Sequence, residues 1–226
     1  MMASWFRKAD PRLAGYLAAT RPRLRASTPL SEVPFVVLDA ETTGLRVGSD
    51  QLLSVAAMPV RRHRTAVGGL RSWLVHREGA GVTPATRVHT ILPSDSSGGT
   101  PEDEVLEELC EMLAGAVVVG HHIGFDVGMI DHALRRHFRA RLRNPTIDTA
   151  RLAMNVLDPY RPTGYAGQRP PGLDEVCAHV GLGIWERHTA DGDTFAIAQL
   201  FLLLCARLAR KLGREPVIGD LPVVRG

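Results

Sequence analysis

The stretch FVVLDAETTGL, residues 35–45, constrains this chain more than any other. A valine-rich apolar run of this length reads as a buried strand. It ends in two carboxylates, Asp39 and Glu41, followed by Thr42, Thr43, Gly44 and Leu45. Side chains alternate faces along a strand, so Asp39 and Glu41 point together and Ala40 faces away. Two like charges aimed at one spot suppress each other's ionisation, and burying them is costly unless a cation meets them. The fold must therefore bring something cationic to this strand end, unless the pair only caps a turn.

The rest of the chain supplies a sheet for that strand. With the first strand at 33–39, QLLSVAAMPV and GLRSWLVHR follow after short connections and predict an antiparallel meander. AVVVG and the start of PTIDTARLAMNVL predict two further short strands, the latter running into a helix. Other helices are expected over 3–20, through EDEVLEELCEML with Thr100 as N-cap and Pro101 in the first turn, and over 125–136, 172–181 and 191–212. A meander followed by alternating helices and strands makes an α/β fold, a mixed five-stranded sheet flanked by helices. Sites in such sheets lie at strand ends. At 226 residues, one sizeable domain over 31–212 is expected, between a basic segment and linker at 1–30 and a tail at 213–226. The loop DPYRPTGYAGQRPP is too long for a simple turn.

Composition narrows the setting. Residues 1–30 carry six of the 27 bases and one of the 24 acids, leaving 21 bases against 23 acids elsewhere. A basic tail on a near-neutral body suits a polyanionic partner, although solvated tails of this kind are common. Cys110, Cys177 and Cys205 are far apart with no CxxC pair, which reads as buried thiols in a reducing compartment. The N-terminus lacks the apolar stretch of a signal peptide. The longest apolar run, FAIAQLFLLLCARLA, is 15 residues and reads as a core helix, not a membrane span. A cytoplasmic protein with no membrane partner is expected.

Two more segments place acids at helix starts. VVVGHHIGFDVGMIDHAL sets Asp126 in a first turn, and ERHTADGDTFAIAQL presents His188 with Asp193 five residues on. Asp191 is the better N-cap, and the two acids lie about 200° apart on a helix, so only one faces a given site. Asp148 and Asp174 read as caps and Asp131 as a solvated face. Hard carboxylate ligands favour magnesium or manganese over zinc, and two divalent cations balance four carboxylates.

With these motifs in order, the chain resembles the DEDDh, or DnaQ-like, 3′→5′ exonucleases, which include the proofreading ε subunit of bacterial DNA polymerase III. DAETTGL, HHIGFD and HTADGD match the three motifs, and the resemblance runs from about 35 to 208 with VHTI at 88–91 and TIDTARL at 146–152. It implies a ribonuclease H-like fold and hydrolysis of phosphodiester bonds at single-stranded or frayed 3′ ends of DNA, releasing nucleoside 5′-monophosphates. Asp39, Glu41, Asp126 and Asp193 would hold two Mg²⁺ or Mn²⁺ ions, and His188 would be the general base. Thr42, Thr43, Gly44 and Leu45 resemble the pocket for the terminal nucleotide, with Gly44 letting the backbone approach the sugar and Leu45 as a wedge. His89, His122 and Phe125 are further candidate substrate contacts, Phe125 also reading as a core aromatic. His122 stands where the family commonly has Asn. The arginines of RRHFRARLR, 135–143, read equally as a solvated helix end or a phosphate track. An exoribonuclease of the ribonuclease T or oligoribonuclease kind is the nearest alternative. A non-catalytic nucleic-acid-binding module, or a subunit acting through contacts with a DNA polymerase partner, is the alternative of another class.

Overall fold

The computed structural model describes residues 9–19, 24–78, 85–89 and 91–225. The sheet grows from β1 (Phe35–Thr42), whose two faces are both covered. Val36 and Leu38 face one core with Leu106, Leu109, Ile130 and Leu134, while Phe35 and Val37 face a second with Ile197, Leu200, Phe201 and Leu204. That double burial explains why the strand reads as a continuous apolar run.

β2 (Leu52–Arg61) pairs antiparallel with β1, and β4 (Arg71–Leu74) pairs antiparallel with β2. This is the expected meander, with a two-residue strand β3 (Arg64–Thr65) added at the far end of β2. On the other side of β1, β5 (Val117–Gly120) and β6 (Thr146–Asp148) run parallel. The five expected strands are present, and β3 and β7 (Val223–Val224) raise the number to seven among the described residues. β7 comes from the tail and pairs antiparallel with β6. It covers an edge that would otherwise expose unpaired backbone.

The helices are α1 (Ala14–Ala19), the short α2 (Thr86–His89) and α3 (Pro93–Ser97), α4 (Glu102–Leu113), α5 (Gly124–Phe138), α6 (Thr149–Val156), α7 (Leu173–Val180) and α8 (Ala190–Leu212). α4 and α5 lie on one face of the sheet, α6 and α8 on the other. By length and composition α8 could cross a membrane, but its apolar side is buried in the second core. Of the helix expected over 3–20, residues 11–19 are helical, and residues 1–8 and 20–23 of the basic segment lie outside the described residues. Pro101, not Thr100, is the N-cap of α4. Thr100 is drawn into backbone bonds with Leu74 and His76, a close approach that Gly99 permits because a Cβ there would meet the Leu74 carbonyl at 2.6 Å. The loop after α6 begins as a 3₁₀ turn, Asp158–Tyr160, and is tied by Gln168 to Thr163 and to the Arg161 carbonyl.

The tail packs as part of the domain. Backbone bonds join Leu30 to Pro216, Ile218 to Thr28 and Gly219 to Ala26, and Ile218 and Leu221 are buried. Each such side chain contributes about 1.5–3 kcal/mol. Deleting residues 213–226 should therefore lower unfolding stability by about 3–6 kcal/mol, read from the urea midpoint. An unchanged midpoint would mean that the tail does not close the domain in solution.

Candidate active site

The strand alternation that builds the two cores also aims the carboxylates. Asp39 and Glu41 continue the face of Phe35 and Val37, the side covered by α8, while Ala40 packs toward the other core. Pairing with β2 shifts register between Glu41 and Thr42, so the irregularity falls beside the carboxylates. α8 delivers Asp193 in its first turn. One carboxylate oxygen from each of Asp39, Glu41 and Asp193 lies within 4.8 Å of the others.

Asp126 comes from α5, in the opposite layer, and stands beside this trio instead of within it. It is buried, and its own backbone and that of Ala40, between the two strand carboxylates, hold its carboxyl down against that burial. The structure thus brings three of the four expected carboxylates together and sets the fourth next to them.

Burial dominates their electrostatics. It pushes Glu41 and Asp126 each up to about 7. Asp39 is raised well above the carboxylate range by burial and then by Asp126, Asp193 and Glu41, and Asp193 is raised by burial. The guanidinium of Arg187 pulls Asp39, Glu41 and Asp193 back down. Arg187 pairs with Asp193 and, through Nε at 2.8 Å, with Asp174. No motif pointed to it, although the charge argument at the strand end asked for a cation.

The third motif is held by a tight loop. Glu186 and His188 have φ of +52° and +66°, and the His188 backbone works against the upward shift of the Asp193 carboxyl. Thr189, not Asp191, caps α8 by accepting from the Gly192 N–H at 3.1 Å. Asp191 instead accepts from the Ser72 hydroxyl at 2.7 Å. The loop lies so close over the helix that a Cβ on Gly192 would meet the carbonyls of Trp185 and Glu186 at 2.4 and 2.3 Å. Trp185 is itself 78% exposed, a large apolar surface three residues before His188 that the sequence reading passed over. The His188 ring is half-buried, with Nδ1 at 3.3 Å from Arg187.

The remaining candidates are placed as follows. Thr42 is buried and its hydroxyl donates to the Gly44 carbonyl at 2.7 Å, while Thr43 pairs with Gln51 through backbone and side chain. Gly44 makes room for the Asp50 carboxylate, which would lie 2.7 Å from a Cβ there. Leu45 is 84% exposed, open to contact. Phe125 packs against the first core, which favours its structural reading. His89 is buried apart from the carboxylate trio. Its Nδ1 accepts from Ile91 N–H, and its Nε2 has no hydrogen-bond partner among the described residues.

His122 has φ +55°, a left-handed geometry that Asn and His both tolerate, so the departure from the family's Asn preserves the turn. Its backbone N–H donates to Asp148, which also caps α6 as expected. His121 is fixed between the Thr149 hydroxyl and the Pro171 carbonyl, and burial pushes its ring down to about 4.

Three other charge readings change. Gly172 occupies the N-cap of α7, and Asp174 pairs with Arg187. Asp131 accepts from Leu142 N–H and pairs with Arg135, so it is not a free solvated face. Arg136 pairs with Glu102, which leaves Arg139, Arg141 and Arg143 for any phosphate track.

The donor set and one orphaned atom fit a divalent cation. Carboxylate oxygens are hard ligands. Asp193 Oδ1 is buried without a hydrogen-bond partner among the described residues, although such atoms are nearly always satisfied. An exonuclease family model, RNase_T, matches residues 36–201, and the chain belongs to that DnaQ-like family of hydrolases.

Relatives agree with this placement, and structural neighbours share the fold. A DNA polymerase III subunit epsilon-like protein of Rhodobacter capsulatus is 34% identical, covering 83% of this chain and 26% of its own length. A PolC-type DNA polymerase III of Streptococcus pneumoniae is 28% identical, covering 81% of this chain and 12% of its own. The chain therefore spans about a quarter or less of these relatives. E. coli Exonuclease I in complex with a dT13 oligonucleotide shares the fold, with TM-score 0.62 at 16% identity over 80% of this chain and 43% of that one. Exonuclease I from Methylocaldum szegediense does likewise, at TM-score 0.59 and 20% identity over 79% and 40%.

Two measurements test this geometry. Glu41 and Asp126 bind more protons in the fold than in the unfolded chain between about pH 4 and about pH 7, and burial shifts Asp39 and Asp193 in the same direction. The associated stability is complete below the unfolded values and is lost as pH rises through the folded ones. Without metal, Asp39→Asn should therefore melt higher than wild type near pH 8, by about 0.5–2 kcal/mol in stability, with the gap closing toward pH 5. A gap that does not change with pH would contradict mutual repulsion. Gly192→Ala, worth about +1 kcal/mol at an open helix position, should instead lower the urea midpoint, and a raised midpoint would disprove the close loop packing.

Proposed function

We propose that the chain is a metal-dependent 3′→5′ exonuclease that shortens single-stranded or frayed 3′ ends of DNA and releases nucleoside 5′-monophosphates. The observation that carries this is the trio of Asp39, Glu41 and Asp193 within 4.8 Å, in a chain of the exonuclease family. Asp39, Glu41, Asp126 and Asp193 would hold two Mg²⁺ or Mn²⁺ ions. When bound, these would supply Lewis acidity toward the attacking water and the leaving 3′ oxygen.

The protein's own groups do the rest. His188, with its ring neutral, accepts the proton of the attacking water. It sits on a loop two of whose residues have positive φ, five residues before Asp193. Thr42, Thr43, Gly44 and Leu45 receive the terminal nucleotide, and the exposed Leu45 side chain is free to wedge against its base. His89, His122 and Phe125 remain flanking candidates for substrate contact.

DNA is favoured over RNA by the names of the relatives, DNA polymerase III proteins, and by the oligonucleotide in the Exonuclease I complex. Association with a DNA polymerase rests on the same names, and a pull-down with and without residues 1–30 tests it.

Matched DNA and RNA oligomers labelled at the 3′ or 5′ end, incubated with Mg²⁺ or Mn²⁺, report polarity and sugar preference together. Release of label first from the 3′ end of DNA supports the proposal, and 5′ release or internal cutting overturns it. Faster turnover of RNA would replace DNA by RNA as the substrate.

His188→Ala should lower turnover by about 10²–10⁴-fold, the usual loss for a positioned general base, while keeping the metal-induced rise in melting temperature. Asp193→Asn should lose both. Near wild-type turnover in His188→Ala would remove that residue from the chemistry and turn attention to His122.

A further inference from the structure

Arg187 does more than a surface arginine would. Its side chain is 29% exposed and spans two carboxylates of unlike setting, Asp174 at 65% exposed and Asp193 at 5%. Nε and Nη2 face the two Asp174 oxygens at 2.8 and 3.3 Å, and Nη1 pairs with Asp193 Oδ2. The residues on either side, Glu186 and His188, both have positive φ, so the backbone is shaped to present this side chain inward. It is also the cation that opposes the repulsion at Asp39 and Glu41.

We propose that Arg187 is the resting counter-ion of the carboxylate centre, competing with divalent metal for Asp193 and withdrawing toward Asp174 when metal binds. The inference rests on the metal-binding reading of that centre. A guanidinium in a half-buried cluster of acids satisfies charges that would otherwise repel. A divalent cation on Asp193 then faces a like charge, so loading the centre requires Arg187 to give way. Asp174 offers the outer carboxylate that makes the withdrawal tolerable.

A purely structural strap between α7 and α8 makes a different forecast, because losing it would weaken the fold without changing metal affinity. Calorimetric titration of Mn²⁺ into the full chain, without nucleic acid, separates the two. Arg187→Met should bind Mn²⁺ about tenfold more tightly than wild type, within the usual range of coupling between two sites, and should melt lower without metal. Arg187→Lys keeps the charge and should stay within about threefold of wild type.

Asp174→Asn removes the outer partner and should weaken binding a few-fold, roughly, in the Arg187 background. It should have no effect in the Met background. Arg187→Met binding no more tightly than wild type overturns the proposal, as does Arg187→Lys binding as tightly as Arg187→Met. If Arg187→Met does not fold, Asp174→Asn decides, weaker binding supporting the proposal and unchanged or tighter binding overturning it. Wild type that takes up no Mn²⁺ overturns the metal reading of the centre and this proposal with it.

Discussion

Crowded negative charge at the end of a buried strand organises this molecule. β1 is apolar on both faces because both are covered, and its last turn of alternation carries Asp39 and Glu41 onto the α8 side. Such a pair is unfavourable by itself, and Asp193 and Asp126 add to the repulsion at Asp39. The surrounding features answer that cost. The backbone at Ala40 and at His188 holds down the Asp126 and Asp193 carboxyls, and Arg187 supplies positive charge. What stays unanswered is the buried Oδ1 of Asp193, in a residue whose trio of carboxylates suits a hard cation.

The scaffold holds this tension with ordinary packing. The long α8 is anchored by Ile197, Leu200, Phe201 and Leu204 in the second core, so its first turn cannot drift from the strand end. Gly192 lets the third-motif loop settle onto that turn, and the tail clasps the segment leading into β1. Stability given up at the site is recovered in the cores, the usual trade between activity and stability.

Much of this was legible in the residues. The strand and helices showed because apolar periodicity is local, and the motifs showed because their acids sit at element ends. The mixed α/β sheet came through with its meander intact, while β3 and β7 did not, since two residues carry no pattern. The capping of α8 was misread because Asp191 and Thr189 are both good caps, and only the contact with Ser72 takes Asp191 away. The role of Gly44 turned on Asp50, six residues on, whose carboxylate occupies the space a side chain would need. Arg187 was invisible for a similar reason, because it sits in the loop before α8 while its partner Asp174 lies on α7. Position 126 was found as an acid at a helix start, but its place beside the trio depends on which layer α5 occupies.

The central claim is that these carboxylates exist to hold divalent cations. Counting Mn²⁺ by electron paramagnetic resonance, with a nucleoside 5′-monophosphate present, tests it most directly. The account predicts two ions per chain with a spin-coupled spectrum in wild type, and loss of that coupling in Asp39→Asn. Saturation with no bound Mn²⁺, or the same stoichiometry and coupling in Asp39→Asn, would contradict it.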